Sequence, residues 1–259
     1  MSTERLTDDQ LRDFLDAKAL QYQTPDFVAD DPVSLPHRFA DPDDIAIAGL
    51  LVATISWGNR KAILASADAL MNLMDNAPAD FVRNATEADI ERASRFYYRT
   101  FNGTDLRGMI AGLHAICLAP GGLRAIFATP PDGSVRDAIA RFRTAMLPHI
   151  EQRTRKHIAD ADAGAAAKRI NMFLRWMVRS PKAGVDFGIW ADIISPAQLM
   201  LPLDVHTANT GRALGLLARR QNDWKAVEEI TARLRAFCPE DPVKYDFALF
   251  GLGIYEHFK

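Results

Sequence analysis

The chain has 259 residues, 48% of them hydrophobic and 25% charged, with a formal net charge of -2. That length allows a sizeable core in one large domain or two small lobes, and the pI near 6.3 argues against a nucleic-acid binder. No apolar run is long enough to span a membrane. The acidic start from Met1 to Asp9 lacks the layout of a secretion leader, and Cys117 and Cys238 cannot by themselves hold a zinc or iron–sulfur site. A soluble, cytoplasmic, monomeric protein without cofactor or metal is expected.

The average charge hides an asymmetry. Residues 1–44 carry eleven Asp/Glu against four Lys/Arg, whereas residues 141–182 carry ten Lys/Arg against three Asp/Glu. A basic segment of that kind suits a surface that follows phosphates, or simply a solvated helix face.

In chain order, Thr7 and Gln10 read as a capping box, with Leu6 and Leu11 as the staple, opening a helix to about Leu20. Pro25, Pro32, Pro36 and Pro42 make residues 21–42 irregular. Asp43 or Asp44 then starts a segment to Trp57 that is apolar nearly all round, which predicts a buried helix. Gly58, Asn59, Arg60 and Lys61 break it before a second helix from Ala62 to Met74. Thr86 and Asp89 form another capping pattern, for a helix ending near Arg99. Further helices are expected over Leu106–Leu118 and, after Ser134, to Met146.

From Lys168, apolar residues at 170, 173, 174 and 177 mark a helical stripe, with Lys168, Arg175 and Arg179 on its other faces. Asp204 caps a helix after Pro202, Asp223 caps another from Trp224 to Phe237, and Tyr245 to Leu252 is the last. No β-branched alternation persists over five positions, so an all-α chain is expected. His149 and His157 are eight residues apart with no third ligand nearby, and no metal site is expected there.

The stretch Leu203-Asp204-Val205-His206, followed by Leu214-Gly215, resembles the signature of the helix-hairpin-helix (HhH-GPD) DNA glycosylase superfamily. The resemblance implies two helical lobes around a cleft. One would be formed by residues 55–205, the other by residues 1–54 returning beside 206–259. It also implies that Asp204, while capping its helix, points a free oxygen at the reacting sugar of damaged double-stranded DNA. A cap without chemistry is the plain structural alternative.

The break after the buried helix, with Ser56, Trp57, Asn59, Arg60 and Lys61, is similar to the family's loop that fills the gap left by a flipped base. It lacks the usual Gln. The hairpin is degenerate. Pro181 and Gly184 fit, Lys182 replaces a Gly, and Asp186 stands where the family's lysine would be. One branch, the archaeal 8-oxoguanine glycosylases, places its lysine earlier, and Lys168, with Phe173 one position out of step, looks like that arrangement.

The resemblance therefore implies Asp204 and Lys168 as the reacting pair. Trp57, Asn59, Arg60, Lys61, Arg175, Arg179, Lys182, Gly184 and His206 are the expected DNA contacts. The expected activity is base excision with AP-lyase cleavage. A DNA-binding protein that kept the fold and lost the chemistry, and a helical scaffold without nucleic acid, are the alternatives. The segment from Asn222 to Gly253 also resembles an uncharacterised bacterial family.

Overall fold

The computed structural model describes residues 6–258, so the Met1–Arg5 part of the leader reading lies outside the described residues. The fold is all-α. Helix α1 (Asp8–Tyr22) opens on the expected Thr7/Gln10 capping box. A short α2 (Asp26–Ala29) and two single 3-10 turns at Pro32–Ser34 and Pro36–Arg38 fill the proline-rich stretch. Helix α3 (Pro42–Ile55) is capped by Asp41, not Asp43 or Asp44. Pro42 at the first helical position moves the start back, and the Asp41 carboxylate accepts from the amides of both later residues.

Helices α4 (Arg60–Leu73), α5 (Pro78–Asn84) and α6 (Glu87–Ala93) follow. α6 is shorter than expected because a two-residue β-hairpin, Tyr97–Tyr98 paired with Phe101–Asn102, interrupts the chain. Strands that short leave no alternation to read. Then come α7 (Gly103–Leu118), α8 (Gly122–Phe127), α9 (Val135–Met146), α10 (Lys168–Val178), α11 (Val205–Ala213), α12 (Trp224–Phe237) and α13 (Tyr245–Ile254). No described helix is long and apolar enough to cross a membrane.

The apolar side chains gather in two clusters. One takes α3 to α10 and the loop to Leu199. The other takes α1, Leu201, Leu203 and the apolar faces of α11, α12 and α13. The division expected at residue 54 therefore falls earlier in the chain. α3 is buried from Ile45 to Ile55, and a helix apolar all round needs cover on every side, which the central cluster supplies. Gly49 lets α10 approach closely: a Cβ there would lie 3.2 Å from the Met177 side chain. Likewise Gly251 leaves room for the Tyr22 ring, which seats α1 on α13.

Helix α10 also carries a buried ionic network. Arg175 pairs with Asp186 at 3.3 Å and with Asp246 of α13 at 2.5 Å. Arg179 reaches Asp186 at 2.6 Å, Asp241 at 2.8 Å and the Gln23 side chain at 3.2 Å. The two arginines are 4% and 3% exposed, and Asp186 is 2% exposed. This overturns their expected role as DNA contacts, because both guanidiniums are buried and paired with carboxylates. It also explains Asp186, which sits between two arginines as their counter-ion. The Ser180–Gly184 stretch forms a 3-10 turn with Gly184 at φ +74°, and no α-helix lies between α10 and α11. The second helix of the expected hairpin pair is therefore replaced by irregular chain.

Removing one partner of such a network leaves buried charge uncompensated, at a cost of about 3–5 kcal/mol. Asp186→Ala is expected to lose about that much stability in urea unfolding. A change below about 0.5 kcal/mol would contradict the role assigned to the network.

Candidate functional site

The two clusters meet at a cleft of about 770 Å³. From the central cluster it takes the chain after α3 (Ser56, Trp57, Gly58), the start of α4, and the first turn of α10. The other cluster supplies Leu203 to His206, Asn222 and the end of α13. Local structure aims these pieces. Gly164 accepts from the Trp224 amide at 2.9 Å, and Ala165 bridges Asp223, so the chain entering α10 is clasped to the start of α12. Ala167 then takes φ +51°, a left-handed conformation that costs a residue with a Cβ about 1 kcal/mol, and α10 begins at Lys168.

Lys168 and Asp204 face each other across this cleft, Nζ to Oδ2 at 4.0 Å, with side chains 30% and 25% exposed. Asp204 is the N-cap of α11. Its Oδ1 accepts from the Thr207 amide at 2.9 Å, which leaves Oδ2 turned to the lysine. One carboxylate thus caps a helix and presents an oxygen to the cleft, at the positive end of the helix dipole. Lys168 also lies 3.6 Å from Met172 Sδ, one turn along.

Of the other residues read from the sequence, Trp57, Arg60 and His206 line the cleft. The Arg60 guanidinium lies over the Phe250 ring at 5.5 Å. Trp57 is half-buried and held from three sides, by Arg169 at 4.9 Å, Tyr98 at 5.3 Å and His157 at 5.5 Å. Asn59 is the N-cap of α4, its side chain accepting from the Ala62 amide at 3.2 Å, and Lys61 is exposed beside it. Neither lines the cleft. Lys182 is exposed on the 3-10 turn, and Gly184 packs on Pro25, so both also lie outside the cleft lining.

Two cleft residues carried no readable signal. Arg169 donates to the carbonyl oxygens of Thr54 and His157 and covers the face of Trp57. Burial pulls it down to about 10. It thereby holds the end of α3, the 154–157 turn and the Trp57 ring together. Asp31 comes from the proline-rich stretch and lines the cleft beside Lys168. It is 8% exposed, and its Oδ1 accepts from the Val33 amide at 3.0 Å. Burial pushes the Asp31 carboxyl above its ordinary range, against the opposing pull of that hydrogen bond and of Arg175, Arg60 and Lys168. An Asp followed by Pro32 reads as a turn starter. Nothing local announces that the turn folds over a cleft.

Among the described residues no group of three metal-ligating side chains comes together, and His149 and His157 lie apart on the two sides of the 150–156 segment. His157 is buried. Burial lowers its imidazole, and Arg169 and Lys156 act in the same direction against the nearby Asp105.

A family model described as a protein of unknown function, DUF2400, matches residues 31–255. The chain belongs to this family. No curated protein and no solved structure matches it. The matched span begins at Asp31 and contains Lys168 and Asp204, so every charged group of the cleft described above belongs to the family region.

The raised Asp31 has a signed consequence. An unfolded Asp loses its proton near about pH 4, whereas the folded chain holds this one to higher pH. Stability is thus full below the unfolded value and falls as pH rises through the folded one. Asp31→Asn keeps an acceptor for Val33 and removes the charge. It is expected to melt higher than wild type at about pH 7, the difference vanishing below about pH 4. An offset that stays constant across that range would contradict the assignment.

Proposed function

We propose that the chain is a DNA glycosylase with AP-lyase activity, excising a damaged base from double-stranded DNA. The observation that carries this reading is the Lys168–Asp204 pair: an amine and a carboxylate 4.0 Å apart on one cleft, contributed by the start of two different helices. A base inside a duplex is out of reach of such a pair, so the target nucleotide has to turn out into the cleft. The cleft offers an aromatic edge at Trp57 and Phe250 and the cations Arg60, Lys168 and Arg169 for it.

As the base departs, positive charge builds on the sugar, and a carboxylate fixed by its own cap stabilises that charge without having to reorganise. Asp204 Oδ2 is in that position. A lysine attacks only when neutral. Lys168 is partly exposed, so its proton leaves to solvent and Asp204 keeps its charge for the sugar. The Nζ–C1′ bond then forms, the N-glycosidic bond breaks, and the base leaves with the bonding electrons and takes up a proton. Opening of the sugar gives a Schiff base, from which β-elimination cuts the strand.

The reading that keeps DNA binding without chemistry drew on Asp186 at the usual lysine position. Asp186 is the counter-ion of Arg175 and Arg179, so its identity carries no information about chemistry.

The test uses duplexes carrying single oxidised, deaminated or alkylated bases. Asp204→Asn is expected to lower single-turnover base release by about 10²–10³. Lys168→Gln is expected to abolish borohydride trapping of a protein–DNA adduct while DNA binding persists. No release from any such duplex would overturn the enzymatic reading. Base release with no trapping would remove Lys168 as the nucleophile and leave water as the attacking group.

A further inference from the structure

With Arg175 and Arg179 buried, the cleft needs another surface to hold the flanking phosphates, and one lies on the far side of Trp57. The β-hairpin Tyr97–Asn102 docks there. Tyr98 donates its hydroxyl to the Trp57 carbonyl at 2.5 Å, and its ring meets the Trp57 ring at 5.3 Å. Arg99, next along the hairpin, is exposed and takes φ +52°. Turn positions of that kind favour Gly or Asn, so an arginine there carries a backbone cost of about 1 kcal/mol that its side chain has to justify. Its guanidinium lies against Gly58, a lining residue of the cleft, where a Cβ would come within 2.8 Å of Nη1.

The 3-10 turn Thr154–His157 adjoins the hairpin. Arg153 donates to the Thr100 carbonyl at 3.3 Å, and the Phe101 and His157 rings meet at 5.0 Å. In a 3-10 turn residues three apart share a face. Thr154 and His157 accordingly point inward, and Thr154 donates to the buried Asp105 at 2.7 Å, while Arg155 and Lys156 face solvent. Lys156 also lines a second, mainly apolar cavity of about 250 Å³ that shares Lys168 and Arg169 with the cleft.

The ion pairs of this region join Arg153 to Asp105 and Arg143 to Asp160. Arg99, Arg155 and Lys156 take part in none of them, and Glu151 is the exposed acid of the turn's approach. Three exposed cations without carboxylate partners, Arg99 against Gly58 at the cleft and Arg155 and Lys156 on the adjoining turn, suit the repeated phosphates of a nucleic-acid strand.

We propose that the Tyr97–Asn102 hairpin and the Thr154–His157 turn form the duplex-DNA-binding wall of the cleft, with Arg99, Arg155 and Lys156 contacting backbone phosphates beside the nucleotide held at Lys168 and Asp204. This rests on the reading of the cleft given above. The exposed Tyr97 ring, 72% accessible at the same hairpin, adds a flat apolar surface to that wall.

The probe is a short duplex holding one tetrahydrofuran abasic-site analogue, titrated by fluorescence anisotropy across a salt series. The double variant Arg99→Glu/Lys156→Glu is expected to bind at least about tenfold more weakly. Its slope of log affinity against log salt should fall by about one for each lost contact. Arg155→Glu alone should weaken binding in the same direction, and all variants should keep the wild-type melting temperature, since the three side chains are exposed and unpaired.

Lys182→Glu, on the degenerate hairpin turn, serves as the competing surface. If it weakens binding and the double variant does not, the wall is overturned while DNA binding stands. If the wild type binds no duplex at any salt, the reading of the cleft falls, and this inference with it. Binding to phosphatidylserine vesicles that the double variant loses, with duplex affinity unchanged, would make the patch a lipid contact and overturn the proposal.

Discussion

The ionic network on α10 is the constraint on which the rest of the cleft depends. Arg175 and Arg179 extend from α10 into the boundary between the two apolar clusters. They meet carboxylates from α13, from the 241 turn and from the loop behind α10 itself. Burying that many charges has little net stabilising value compared with an apolar interface of the same volume. Its effect is on direction. Guanidinium forks donate to carboxylates only in a narrow set of orientations, so α10 is fixed in rotation as well as position. Lys168 is seven residues before Arg175, two turns along and on the same face. Fixing Arg175 against Asp246 therefore turns Lys168 toward the start of α11, where Asp204 waits. The small space lined by Lys168, Arg175, Asp204 and Asp246 together is the physical record of that shared face.

Much of this was legible because capping is local. Asp204, Asp223, Thr7, Thr86 and Ser134 each cap the helix that follows, and each is recognisable from a few neighbours. The stripe at 170, 173, 174 and 177 likewise gave α10 its true start and nearly its true end. What failed is nonlocal. The basic run over 141–182 has the composition of a phosphate-binding face, yet only some of its members, Arg155 and Lys156 among them, face solvent, while others are drawn inward. Arg141 donates to the carbonyls of Ile126 and Ala128, Arg143 pairs with Asp160, Arg169 is half-buried against two carbonyls, and Arg175 and Arg179 are buried. The partners of Arg179 lie 7, 62 and 156 residues away. No local pattern distinguishes an arginine with distant carboxylate partners from one left in solvent. The same distance hid Asp31, whose neighbours Pro32 and Asp30 describe only a turn.

The charges of the cleft fall into two kinds with different physical origins. Asp204 and Lys168 are partly exposed and sit at helix starts. Their geometry comes from capping and from the rotation of α10, and solvent can exchange protons with both. Asp31 is buried and Arg169 half-buried, and burial shifts each toward its neutral form. A buried acid and a buried base of that kind cost stability in the empty protein, a cost that tends to persist where a site needs preformed polarity. Arg169 shows how the cost is limited here. Two backbone carbonyls and the face of Trp57 receive its protons and its charge, so no carboxylate is required and its positive field remains directed into the cleft.

That arrangement bears on how, in the proposed function, a chain with net charge -2 meets a polyanion. The acidic excess lies in residues 1–44, on α1 and the proline-rich stretch, where most of the carboxylates face solvent. Beyond a Debye length of about 8 Å at physiological salt, exposed charges of that kind contribute little. The local balance at the cleft decides: Arg60, Lys168 and Arg169 against Asp204 and an Asp31 held toward neutrality by burial. In the proposed function the cations face the phosphodiester and one atom, Asp204 Oδ2, faces the sugar beside Lys168. Attraction for the strand and stabilisation of a cationic sugar oppose each other in a uniform field. In the proposed function they are compatible because the carboxylate is fixed by its own helix cap while the cations lie on other elements.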